Sequence, residues 1–267
     1  MTSTSGAVRS TGHYETQTHE AGQSEALAAA GTEYKIESRG GRDTLPAHER
    51  FSVARLAELR GLIGASLVCD ALDDLGRRHQ SLAPGCTPLL AGQVLMGYAF
   101  PTLVAPAEEI PEVPFVGLLA ALDAIGPGEV WVGATDGFRE AALWGELLST
   151  ASIAAGAVGA VLDGYVRDVS VIRGLDFPVL CRGVDPRNIN GRGEVVAHNV
   201  TVEVDGVTVA PGDLVVGDDD GVVIVPQALI DEAVGAAVAK TAGESRFRQA
   251  VREGMPPGEA FKRFGVL

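Results

Sequence analysis

Between Glu129 and Arg182 the chain alternates in a way that few folds accept. Short apolar runs at Glu129–Gly133, Ala157–Leu162 and Pro178–Arg182 read as strands. A helical pattern from about Gly145 to Ala155 leads into the second run, and a shorter one from Asp168 to Gly174 leads into the third. Two parallel strands need a crossover of about a dozen residues, usually a helix, so this order predicts βαβ units and a parallel sheet. Ala134-Thr135-Asp136-Gly137 is then the loop that leaves the first strand.

The flanks differ in character. Beyond Gly183, Val195-Val196, Val200–Val204, Val207–Val209, Asp213–Val216 and Val222–Val225 are β-branched runs parted by Asp-Gly and Pro-Gly turns. Asp205-Gly206 is a hairpin signal, and Gly217-Asp218-Asp219-Asp220-Gly221 is a polar turn. A helix from Pro226 to about Arg252 follows, and residues 253–267 read as a loose Gly/Pro tail. On the amino side, Phe51, Val53, Leu56, Leu59 and Leu62 fall near helical spacing. Ser66 is placed to cap a second helix with Leu67, Ala71, Leu72 and Leu75 on its apolar side. Gln93–Phe100 reads as a strand ended by Pro101, and Phe115–Ile125 as a short helix stopped by Gly126-Pro127-Gly128. The expectation is one α/β domain over residues 46–252, a βαβ part joined to a β-rich part. Residues 1–45 carry too little apolar periodicity to offset their ordering entropy and read as a disordered extension.

Composition narrows the partners. A formal charge of -14 argues against a nucleic-acid backbone, whose binders cluster Lys and Arg to displace counterions. Aromatic residues are only 5% of the chain and Gly counts 34, which suits tightly packed strands and helices better than an aromatic groove. The amino terminus has no apolar core of a secretory signal, and no run reaches the roughly 18 apolar residues of a membrane span. Cys69, Cys86 and Cys181 lie far apart without paired spacing, as in a reduced cytoplasmic protein.

The chemistry concentrates between Leu143 and Asp168. Gly145, Glu146, Leu147 and Leu148 stand where a helix begins, so their backbone N–H groups can receive a carboxylate. Arg167 and Asp168 follow a buried strand, and ligands of α/β sheets gather beyond the carboxyl ends of strands. Arg offers a fork for a carboxylate, and Asp offers hard oxygens for magnesium or manganese. On local features alone, the favoured reading is structural, with Asp168 as the cap of the next helix and Arg167 in a surface ion pair. Other groups are weaker. Asp218-Asp219-Asp220-Gly221 lacks the alternating ligands of a calcium loop, and His79 and His198 lack metal-ligand spacing. Asp70 and Asp73 sit on a helix where solvent-facing or capping roles are the default. No serine elbow or phosphate-binding glycine loop occurs in a suitable context.

Taken together, GELLSTASIAAGAVGAVLDGYVRDV, FPVLCRGVDPRN and PGDLVVGDDDGVVIVP resemble the family of regulator of ribonuclease E activity A-like proteins. SLVCDALDDLG, nearer the front, belongs to the same resemblance. The family's motif is an acidic residue, twenty residues, then Arg-Asp; here residues 147–166 separate Glu146 from Arg167. The family includes class II pyruvate aldolases acting on 4-hydroxy-4-methyl-2-oxoglutarate and 4-carboxy-4-hydroxy-2-oxoadipate, and also non-catalytic members.

The resemblance implies a swivelling-domain-like α/β/β sandwich, assembled as trimers or hexamers with the site in a cleft between subunits. It implies that Asp168 holds a divalent cation, Mg or Mn, with water as the remaining ligands. Arg167 would contact the keto and carboxylate oxygens of the oxo-acid substrate, and the N–H groups of Gly145, Glu146, Leu147 and Leu148 its carboxylate. Glu146 stands where the aldolases often carry Asp, and would hold the water that acts as base. The implied activity is cleavage of a 4-hydroxy-2-oxo dicarboxylic acid to pyruvate, with oxaloacetate decarboxylation at its side. A protein-binding regulator of an RNA-degrading enzyme is the implied alternative, as is a related lyase on another oxo acid.

Overall fold

A computed structural model describes residues 50–107 and 109–266. The expected extension over residues 1–45 lies outside the described residues. The helices at the front are α1, Val53–Arg60, and α2, Ala65–Asp74. They are followed by β1 (Thr87–Pro88), β2 (Leu95–Pro106), α3 (Val116–Ala124), β3 (Glu129–Ala134) and β4 (Ala142–Trp144). Next come α4 (Glu146–Ala154), β5 (Gly159–Val166), α5 (Val169–Ile172), β6 (Val179–Val184) and β7 (Gly193–His198). The chain closes with β8 (Val202–Val204), β9 (Val207–Val209), β10 (Leu214–Asp218), β11 (Gly221–Val225), α6 (Ile230–Arg252) and α7 (Pro257–Phe264).

The large sheet runs in the order β1-β6-β5-β3-β2-β10-β11, with β4 beside β5 and β7 beside β2. Its centre, β2-β3-β5-β6, is parallel, as the βαβ pattern requires, and its edges are antiparallel. Side chains alternate across the pleat and so separate the core into layers. On one face Phe100, Trp131, Ala160, Leu162, Val179 and Cys181 pack with α3, α4 and α5. Further along that face Met96, Tyr98, Leu214, Val216, Val223 and Val225 pack with α1, α2 and α6. On the other face Leu95, Ala99, Val130, Val132, Val161 and Leu180 meet the β8–β9 hairpin through Val202, Val204, Val207 and Val209. Helices, sheet and hairpin form the α/β/β sandwich. The hairpin turns through Asp205 and Gly206, both at positive φ, as the Asp-Gly signal requires.

The structure corrects four local readings. First, β2 does not stop at Pro101 but continues to Pro106. Along one edge β2 pairs with β10 through Leu95–Tyr98 and with β7 from Thr102 onward. Pro101 lies between these partners, where a missing N–H interrupts no ladder bond, while its carbonyl accepts from Asn199 N–H at 2.7 Å. Second, the strand expected to end at Leu162 runs on through Asp163-Gly164-Tyr165 to Val166 as β5, for reasons given below. Third, the segment after Arg252 carries α7, which starts with Pro257 at its first position and ends at Gly265 with φ 70°. Ala260 is buried, and Val266 lies where a side chain on Gly243 of α6 would point.

The fourth correction concerns α2. Its cap residue is Gly64, and Ser66 is exposed. Asp218, distant in sequence, accepts the free N–H of Ala65 at 2.8 Å and that of Asp220 at 2.9 Å. One carboxylate therefore closes the β10–β11 turn and the start of a helix. An Asp218→Ala variant should lose about 1 kcal/mol, read as a lower denaturation midpoint with an unchanged slope. Ser66→Ala should leave the midpoint where it is.

Candidate functional site

Strand β5 carries the site to its place. Its lower part pairs with β3, Val130 opposite Gly159 through Gly133 opposite Leu162, and its upper part pairs with β4. The two candidate elements converge, since β4, which feeds α4, ends beside β5, which feeds Arg167. The register shifts on both flanks of this end, between Leu162 and Tyr165 toward β6 and between Ala142 and Trp144 toward β5. Such irregularities re-aim side chains out of the pleat. Here they follow Asp163, whose side chain is 7% exposed yet charged. Arg139 Nη2 donates to it at 2.7 Å, Arg182 Nε at 3.1 Å and the Thr135 hydroxyl at 3.1 Å. A polar residue inside a buried strand is tolerated because these donors come to it.

Beyond Val166 the chain turns sharply. Arg167 N–H donates to Trp144 C=O at 2.9 Å, and Asp168 adopts φ 59° and ψ 30°, the left-handed region. Aspartate tolerates this region better than most residues, but a non-glycine residue held there is an outlier that invites a functional reading. The Asp168 carboxylate makes no capping bond to its own helix. It turns across to α4, where Oδ2 accepts Glu146 N–H at 3.3 Å and lies 3.6 Å from Arg167 Nε. Among the described residues, Arg167 has no other hydrogen-bond or ion-pair partner.

Gly145 makes this approach possible. Its backbone is extended, with φ -158° and ψ -173°, so no strain requires glycine. The requirement is space, since a Cβ there would stand 2.7 Å from Asp168 Oδ2 and 3.3 Å from Arg167 Cγ. The start of α4 is fixed from behind by buried Trp144, whose Nε1 donates to Ser149 Oγ at 2.8 Å, and Ser149 donates to Gly145 C=O at 3.2 Å. Gly145, Glu146, Arg167 and Asp168 are therefore together. Glu146 contributes its N–H to Asp168, while its carboxylate accepts from Thr150 Oγ1 at 2.8 Å. Leu147 is 71% exposed beside this point, and Leu148 packs against the core.

The loop after β6 lies alongside. Asp185 N–H donates to Val166 C=O at 3.0 Å, and Ala142 N–H to Arg187 C=O at 3.0 Å. Arg187 grips Asp185 through Nε at 3.0 Å and Nη2 at 2.8 Å, and this bonding pulls the carboxyl down to about 2. Among the described residues no group of three or more His, Cys, Asp or Glu is arranged around a metal position. Asp168 is a single hard oxygen donor, which fits a magnesium-like ion that keeps most of its water.

A second polar feature escaped the sequence. A cavity of about 520 Å³ is lined by Leu103, Asp136, Gly137, Arg139, Asp163, Glu203, Asp205 and Gly206. Arg182 links Asp163 to Asp205 and donates to Ala83 C=O at 2.7 Å. Arg139 and Arg182 come from separate elements and share no local motif, so their meeting at Asp163 was not readable from the sequence. Asp70 is away from the site and pairs with Lys240 of α6. His198 stacks on Phe100 with centroids 5.8 Å apart, and its buried Nδ1 has no hydrogen-bond partner among the described residues.

Comparison with known proteins follows this geometry. Residues 65–224 match the family model described as RraA-like: Aldolase/RraA. DlpA of Legionella pneumophila is 29% identical over 187 residues, 70% of this chain, and the match spans only 30% of that protein. A protein of Halalkalibacterium halodurans named "Putative 4-hydroxy-4-methyl-2-oxoglutarate aldolase" is 29% identical over 193 residues, 72% of this chain and 86% of that one. Among solved structures, Streptomyces coelicolor RraAS2, described as an unusual member of the RNase ES inhibitor RraA protein family, has TM-score 0.63 and 31% identity. It covers 72% of this chain and 96% of its own. An uncharacterized protein from Pseudomonas syringae has TM-score 0.69 and 28% identity, covering 81% and 99%.

Burial holds the His198 imidazole below its ordinary 6.5. The folded state therefore favours the neutral ring, and stability from this group is full above that value and falls as the unfolded chain takes up the proton. Between pH ~7.5 and ~5.5 the melting temperature should drop, and His198→Phe should shrink the drop. With its Arg-Asp pair seated at a strand end and residues 65–224 matched, the chain belongs to the RraA-like family.

Proposed function

We propose that this chain is a carbon–carbon lyase that releases pyruvate from a 4-hydroxy-2-oxo acid. The observation that carries the reading is Asp168, held in the left-handed region with its carboxylate turned to the start of α4 and beside Arg167. A residue serving only as a helix cap would bond its own helix. The names of two relatives at 29% and 36% identity support the same chemistry.

Cleavage breaks the C3–C4 bond. The pair of electrons passes to C3 and the C2 carbonyl, giving the enolate of pyruvate, and the 4-hydroxyl loses its proton as its oxygen becomes a carbonyl. Arg167 is free to receive the substrate carboxylate and keto oxygen in a forked contact and to stabilise the enolate charge. The N–H groups of Gly145, Leu147 and Leu148 add the positive end of α4. A magnesium or manganese ion held by Asp168 would supply Lewis-acid stabilisation of the same charge. Glu146, braced by Thr150 in the first turn, is the base that takes the 4-hydroxyl proton through water. No Schiff-base lysine takes part, in keeping with a chain that has no Lys between residues 51 and 239.

The charge of -14 favours a second reading, a regulator that covers a basic protein partner. Purified wild type, Asp168→Asn and Gly145→Ala separate the two. The lyase reading expects pyruvate from wild type with added magnesium, suppressed by chelator. It expects a loss of at least about a hundredfold in both variants, on the scale of one preorganised charge contact. Both should keep the wild-type melting temperature within a few degrees, because the clash at Gly145 is with the movable end of a side chain. Equal and negligible turnover in all three removes the lyase reading. Recovery of an RNA-degrading enzyme by the tagged chain would then favour the regulator.

A further inference from the structure

Gly145 sets a mechanical problem for the site. Room for Asp168 Oδ2 excludes a side chain there, yet glycine has the freest backbone of any residue. It stands between Trp144, whose C=O accepts Arg167 N–H, and Glu146, whose N–H donates to Asp168. Rotation at this pivot would swing the first turn of α4 away from the strand exit. A displacement of about 1 Å at a reacting centre is enough to cost roughly a hundredfold in rate.

Trp144 takes that freedom away. Its main chain lies in β4 in register with Val166, and its C=O holds Arg167 N–H at 2.9 Å. Its indole stacks on Phe177, with centroids 6.5 Å and planes 4° apart, and meets Trp131 of β3 edge-on at 5.2 Å. All three rings are buried, so the indole cannot turn without displacing close-packed neighbours. From this fixed ring Nε1–H donates to Ser149 Oγ at 2.8 Å. An indole N–H can only donate, so the hydroxyl accepts from it and is left to donate to Gly145 C=O, at 3.2 Å. The same carbonyl accepts Ser149 N–H at 3.1 Å. A helical serine that bonds back by four residues is ordinary; one whose hydroxyl is aimed by a buried indole is a lock. We infer that Trp144 and Ser149 are positioning residues of the lyase. Trp144 holds Arg167 through its carbonyl and the Gly145 peptide through its indole and Ser149, and so fixes the Arg-Asp pair against the N–H groups of α4. Both side chains are buried behind the site and act through Gly145, not on substrate. The role rests on the lyase reading.

A purely structural role, in which Ser149 merely satisfies a buried indole, predicts something different. Ser149→Ala strands the indole N–H and lowers stability under either account. The double variant Trp144→Phe, Ser149→Ala removes donor and acceptor together and keeps a ring beside Phe177, so it leaves neither group stranded but has no lock. With magnesium and 4-hydroxy-4-methyl-2-oxoglutarate, at a temperature where circular dichroism shows it folded, its kcat should fall by about tenfold or more with KM little changed. Hydrogen exchange should quicken at the Glu146 and Arg167 amides and stay as in wild type along β10. Should the double variant not fold, Trp144→Phe alone carries the same expectation. Wild-type kcat in the folded variant overturns the inference, and so does a lost kcat with both amides exchanging as in wild type. In either case pyruvate from the wild type keeps the lyase reading standing. No pyruvate from the wild type removes both.

Discussion

Asp163 holds this architecture together. Its carboxylate is almost wholly buried, and a charge in that position is stable only if strong donors surround it. The donors come from across the fold: Arg139 and Thr135 from the loop leaving β3, Arg182 from β6. Arg182 carries the connection onward to Asp205 in the hairpin turn and to the carbonyls of Ala83 and Pro84. One strand residue thus ties the parallel centre of the sheet to the hairpin that covers it. The tie lies just below the irregular end of β5, so the same network sets the platform from which Arg167 and Asp168 project.

Much of this arrangement was legible because periodicity and turn chemistry are local. The crossover pattern from Glu129 to Arg182 predicted a parallel sheet, and the sheet is parallel where those runs pair. Asp205-Gly206 predicted its hairpin because only a few residues accept two successive positive φ values. The misread segments depend on residues far away in sequence. The strand through Leu162 looks finished at Asp163 until two arginines are brought to that carboxylate. Pro101 looks like a strand end until β10 and β7 share one edge of β2 with a gap between them. Ser66 looked like a cap, but the carboxylate that does the capping lies 153 residues from Ala65.

The candidate site divides in the same way. The meeting of Gly145, Glu146, Arg167 and Asp168 was readable from the strand–helix order and the resemblance, and they do meet. The direction of each group was not readable. Asp168 reaches back to the preceding helix instead of capping its own, and Glu146 offers an N–H on one side and a carboxylate bonded to Thr150 on the other. Nor could a sequence say which arginines remain free, since that depends on the carbonyls and carboxylates the fold sets beside them.

The twenty residues between Glu146 and Arg167 also take on a different meaning. At the bottom of that segment the connection from α4 to β5 is pinned, with Gly128 N–H on Gly156 C=O at 3.0 Å and Val158 N–H on Glu129 C=O at 2.8 Å. At the top, β5 is clasped by β4 and β6. With both ends held, a one-residue slip in β5 would turn its side chains to the opposite face. The interval is thus a ruler of backbone, a property of the crossover and not of the chemistry. A chain could keep that measure, lose both charged residues, and remain a sound member of the fold with nothing left to hold a substrate.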